Sequence, residues 1–155
     1  MLDKLFILLI GVISGGLLFT VTAVTGDVET PFGGTMERAS PSDWIKEDQI
    51  IIEDDQIIIK IDKALISRFS NTNSMDPVLD ENSNGIEIVA ESPEQLKAGD
   101  LITYELDNDL VIHRIIEIGY DDEGWFCITK GDNNRAADEK VRFSQIRYIT
   151  IGILY

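Results

Sequence analysis

The sequence predicts a mainly β domain over residues 44–155, carried behind one N-terminal transmembrane helix over residues 1–26, with a tether over 27–43 between them. Three observations predict this arrangement. A charge-free apolar run opens the chain, a stretch rich in Gly, Pro, Ser and Thr follows, and then come short β-branched runs separated by turn residues.

The opening run, "LFILLIGVISGGLLFTVTAVTG", fills the space between Lys4 and Asp27 without a charge. About 22 residues at about 1.5 Å each cover about 30 Å of hydrocarbon, so residues 5–26 are expected to meet a lipid bilayer as a single-pass anchor. A cleaved signal peptide is the rival reading, but its apolar region is shorter and ends in an Ala-x-Ala-like site, which "TAVTG" does not supply. Lys4 precedes the segment while Asp27 and Glu29 follow it, so the positive-inside rule places the bulk of the chain outside the cytoplasm. Gly11 and Gly15 form a single G-x-x-x-G, a spacing that packs membrane helices but is common in them.

After the anchor, "GDVETPFGGTMERASPSD" has no period of a helix or a strand and reads as a tether. "QIII" and "IIIKID" flank the acidic turn "EDDQ", which is the signature of a β-hairpin. Five further strand-like runs follow: "GIEIVAE", "LITYEL", "LVIHRIIEI", "WFCITK" and "VRFSQIRYITIGIL". Turn residues in "KAGD", "DND", "GYDDEG" and "GDNNRAAD" punctuate them. The one helical turn expected in this part is at "SPEQL", where Ser92 caps and Pro93 takes the first helical position.

A formal charge of −15 repels phosphate backbones and anionic headgroups, so no nucleic-acid partner is expected. Cys127 is the single cysteine and reads as a small buried strand residue. Neither a metal nor a cofactor is expected. "DNNRAAD" fails as a calcium loop, because Ala136 and Ala137 stand where a ligand side chain and a glycine belong.

Chemistry enters at "NTNSMDPVLD". Ser74 follows a run of small polar residues, and Pro77 ends regular structure just after it. A serine hydroxyl needs a base to take its proton, and the chain has one histidine. Strict alternation through "DLVIHRIIEI" puts Val111, His113, Ile115 and Glu117 on one face, with Ile112, Arg114, Ile116 and Ile118 on the other. On its own strand, His113 reads first as a surface residue with no task. In "TKGDNNRAAD", Asp132 and Asp138 lie directly after a strand, where either carboxylate could orient an imidazole and stabilise its cation. Their bland reading is turn-making and solvation.

Taken together, "NSMDP", "GD" at 99–100, "HRI" at 113–115 and "KGDNN" followed by Asp138 resemble the type I signal peptidases, in their archaeal and endoplasmic-reticulum branch. The resemblance covers about residues 70–153 and implies a signal-peptidase/LexA-like all-β catalytic domain behind a membrane anchor. It implies that Ser74 of Ser74-Met75-Asp76-Pro77 is the nucleophile and that His113, followed by Arg114, is the general base. Asp138 is favoured as the partner of the histidine, with Asp132 shaping the "KGDNN" turn by bonding its own backbone. The Ser74 main-chain N–H and the Thr72 hydroxyl are the oxyanion-hole candidates. Asn73 departs from the pattern, standing where the family usually has glycine.

On this resemblance the chain is expected to be a serine endopeptidase of the cell membrane, cutting signal peptides from exported precursors on the extracytoplasmic side. Its expected partners are those signal peptides, the bilayer and the protein-export channel. Two other readings stand beside it. One is a dedicated or self-processing membrane protease, although self-cleaving repressor-type peptidases use a lysine, and Lys97 and Lys130 are the lysines nearest the motifs here. The other is a non-catalytic tethered β-domain that binds exported chains along a sheet edge.

Overall fold

Every β-branched run named above contributes strand, because alternating branched side chains fit a pleated, half-buried surface. "VRFSQIRYITIGIL" is, however, split into two strands by a 3-10 turn over Phe143–Gln145, and another such turn not expected from the sequence lies at Glu47–Gln49. The computed structural model describes residues 38–155. The predicted anchor and most of the predicted tether lie outside them, and among the described residues no helix is long and apolar enough to cross a membrane.

The isoleucine runs pair antiparallel as β1 (Ile50–Ile52) and β2 (Ile57–Ile59), a separate two-stranded sheet closed by the acidic turn. Then come β3 (Leu65–Arg68), a strand not named from the sequence, and β4 (Asn84–Ile88). The rest of the chain supplies β5 (Leu101–Leu106), β6 (Asp109–Asp121), β7 (Gly124–Lys130), β8 (Lys140–Arg142) and β9 (Ile146–Leu154). These make a seven-stranded antiparallel sheet in the order β3-β4-β9-β5-β6-β7-β8. The β5–β6 hairpin turns on Asp107 and Asn108, with φ of 51° and 68°, the two positive angles that a tight two-residue hairpin requires. At "SPEQL" the chain makes a 3-10 turn over Pro93–Gln95, with Gln95 accepting from the Ser92 N–H.

The sheet is apolar on both faces. On one, Ile102, Tyr104, Ile115, Cys127 and Ile149 are buried together, while Leu101 on the other packs with Met75 and Leu79. Burying a side chain the size of Met75 or Leu79 contributes about 2 kcal/mol, so these two residues pin the Ser74 segment to the sheet. Cys127 is a free, buried thiol, and burial pushes its pKa up to about 12.

Strict alternation along β6 holds only as far as Ile115. A bulge between Ile115 and Glu117 leaves Ile116 without a partner on β7, so the phase shifts and Ile118 joins the core of Ile115 rather than the face of Ile112. His113 and Arg114 precede the bulge and keep the opposite faces expected of them.

The N-terminal edge of the domain also differs from expectation. Residues 38–43, read as tether, belong to the compact unit that begins at Arg38. Asp100, fully buried, holds them: its carboxylate accepts from the Ser42 N–H at 2.6 Å, the Ser42 hydroxyl, the Trp44 indole N–H and the Lys97 N–H. Gly99, at φ +106°, allows the approach, since a Cβ there would stand 2.0 Å from the Ser40 carbonyl oxygen. The "GD" pair is thus a clamp for the incoming chain.

Candidate active site

Ser74 sits half-buried in the loop between β3 and β4, whose backbone turns tightly: Val78 N–H and Leu79 N–H both donate to the Met75 carbonyl, at 2.8 and 3.1 Å. Asn73 has φ of 60°. Glycine is favoured in that left-handed region and asparagine is among the few side chains that tolerate it, which accounts physically for an asparagine in the glycine position. Ser74 Oγ and Thr72 Oγ1 are 3.1 Å apart. Among the described residues, no acceptor bonds the Ser74 main-chain N–H.

The segment after β7 grips this loop. Asn133 N–H donates to the Ser74 carbonyl, Asn133 Nδ2 to the Asn73 carbonyl, both at 2.9 Å, and Asp132 N–H to Met75 Sδ at 3.4 Å. Such a close approach requires glycine at 131, where a Cβ would lie 2.5 Å from the Ser74 carbonyl oxygen and 2.7 Å from Asn134 Nδ2. Gly131→Ala is therefore expected to shift the serine and lower turnover about 100-fold, chiefly in kcat, since a misplacement of about 1 Å costs that much. Unaltered kcat in this variant would mean that the serine loop does not depend on the 131–134 grip.

His113, on β6, is buried and places Nδ1 2.6 Å from Asp138 Oδ2. The same carboxylate oxygen accepts from Thr129 Oγ1 at 2.7 Å and from the Tyr104 hydroxyl at 3.2 Å. A carboxylate only accepts, so Nδ1 carries the proton and Nε2 is left as the basic nitrogen. Burial, with the Asp138 charge adding, pushes the Tyr104 hydroxyl up to about 12, so it stays a neutral donor.

Asp132 does something other than the backbone bonding expected of it. Arg114 reaches it from the far face of β6 in a two-pronged contact, Nε to Oδ1 at 2.9 Å and a terminal nitrogen to Oδ2 at 2.7 Å, and donates to the Gly99 carbonyl as well. Arg38 adds a contact at 3.4 Å. Burial pushes the Asp132 carboxyl up, but Arg114, with Arg38 and Lys130, outweighs it and holds the group below the usual carboxylate range. A depressed folded pKa contributes stability that is present above about pH 4 and is lost as the pH falls through the folded value. Asp132→Asn should cost about 3 kcal/mol near neutrality, because it leaves Arg114 buried without its counter-charge, and should flatten the acid limb of the stability curve. Equal stability of the two proteins at pH 7, measured by denaturant unfolding, would rule this out.

Ser74, Thr72 and His113 line one cavity of about 530 Å³. Among the described residues no hydrogen bond joins Ser74 Oγ to His113; the hydroxyl is paired with Thr72 instead. Lys130 is not an alternative base: its ammonium is held by the Gly131 and Asn134 carbonyls. Among the described residues, no group of three or more His, Cys, Asp or Glu side chains is placed to hold a metal ion. Sequence reasoning missed Tyr104, Thr129, Asp100 and Arg38; of these, Asp100 and Thr129 lay in segments already singled out, "GD" and "TKGDNNRAAD". No family model, curated protein or solved structure matches the chain.

Proposed function

We propose that the chain is a membrane-anchored serine endopeptidase that removes signal peptides from exported precursor proteins, with its β-domain on the extracytoplasmic side. The observation that carries this reading is one cavity lined by both Ser74 and a histidine whose other ring nitrogen is held by a carboxylate. The signal-peptide assignment rests on the motifs shared with the type I signal peptidases.

In this reading Ser74 Oγ attacks the scissile carbonyl as His113 Nε2 takes its proton. Asp138 stabilises the imidazolium, and the Ser74 N–H with the Thr72 hydroxyl holds the oxyanion. His113 then gives the proton to the leaving amine, the bond to the new N-terminus breaks, and water hydrolyses the acyl-serine by the same route. An anchor would hold the site where cleavage sites emerge from a bilayer, raising their effective concentration.

The test is incubation of the detergent-solubilised chain with precursor peptides and mass mapping of the cut. Cleavage is expected after a small residue, with phenylalanine directly before the cut abolishing it. Equal turnover of alanine and phenylalanine peptides would remove the signal-peptidase assignment, and absence of cleavage together with no labelling of Ser74 by a serine-hydrolase probe would remove the peptidase.

A further inference from the structure

Glu87, on β4, is a buried acid that the proposed chemistry leaves unused. It is 3 % exposed. Its Oε1 accepts from Thr103 Oγ1 at 2.7 Å and from Thr150 Oγ1 at 3.2 Å, which tie it across β5 and β9. Among the described residues, no basic side chain forms an ion pair with it. Among the described residues its second oxygen has no protein partner either, and no fully buried side-chain oxygen or nitrogen lacks one, so Oε2 keeps some exposure. Glu87 lines the Ser74 cavity.

A carboxylate withdrawn from water costs several kcal/mol unless it is paired, and two hydroxyl donors on one oxygen offset only part of this. Phe69, Leu79 and Ile112 make much of the rest of the wall apolar, which strengthens any charge interaction formed inside. Arg68 also lines the cavity, but it is solvent-exposed and does not bridge to Glu87. A cation carried by a ligand would supply the partner that the protein does not.

We propose that Glu87 makes a cation-accepting subsite in the cleft, taking the ammonium or guanidinium of a lysine or arginine side chain on the bound peptide. The proposal rests on the peptidase reading and deepens it: the cleft selects a basic side chain at one position besides a small residue at the cut. Its neighbours are suited to this, since Thr103 and Thr150 fix one oxygen and leave the other free for the ligand.

The experiment uses the full chain with Ser74→Ala, so that peptides bind without being cut. A lysine is stepped through every position of a fluorescent precursor peptide and compared with norleucine at the same position. At one position lysine should bind about tenfold tighter or better, within the range measured for buried interfacial charge pairs. Acetylating that lysine should erase the advantage, as should Glu87→Gln, whose amide oxygen still accepts from Thr103. Equal binding of lysine and norleucine peptides at all positions would overturn the subsite alone, as would a lysine advantage that survives both Glu87→Gln and acetylation. Failure of every peptide to bind would remove the peptidase reading with it.

Discussion

His113→Ala is expected to lower turnover of a precursor peptide about 10⁴-fold or more, the scale seen when the base of a serine-based site is removed. His113 is the one histidine of the chain, and the nearest lysine of the "KGDNN" segment is tied to its own loop carbonyls. The variant also strips Asp138 of one of its three donors, leaving Tyr104 and Thr129. Folding must therefore be followed separately, by thermal midpoint. A loss of activity with the midpoint held near that of the parent isolates the chemical role. Retained turnover would reject the Ser74–His113 pair.

Asp138→Asn should lower kcat by a similar factor, about 10⁴, with KM little changed. An amide can present its N–H to Nδ1, which puts the ring proton on Nε2 and blocks the nitrogen that accepts from Ser74 in the proposed mechanism. It also cannot stabilise the imidazolium. The contrast with Asp132→Asn is the informative part, since that residue sits in the Arg114 ion pair and not on the imidazole. Loss of turnover in the first and loss of stability in the second is the expected division. The reverse pattern would exchange the two roles, and full activity in both would reduce the site to Ser74 and His113.

Much of the strand content was legible because its causes are local. Runs such as "LITYEL" carry β-branched and aromatic side chains, and "DND" carries the residues that tolerate left-handed turns. Period-two spacing separated His113 from Arg114 for the same reason. What was not legible depends on register between distant strands. The bulge at Ile116 arises where β6 meets β7 and has no local mark. Tyr104 and Thr129 look like ordinary strand residues, and only the order β5-β6-β7 brings them to one carboxylate. Glu87 sits between two isoleucines, and plain alternation turns it outward. A register shift between Ile86 and Glu87 accompanies its burial. Asp132 misled for a related reason: an aspartate in a glycine-led turn usually serves the turn, and its partner here comes from a strand 18 residues away.

The lone thiol of Cys127, sealed in the core with its pKa near 12, gives the chain an internal clock. An alkylating reagent reaches that sulfur only when the surrounding strands part, so the labelling rate reads the frequency of opening rather than any event at Ser74. Every substitution discussed above can then be scored on two independent axes in one sample, peptide turnover and thiol capture. A variant silent in the first and unchanged in the second has lost chemistry, whereas one that quickens the second has lost its fold.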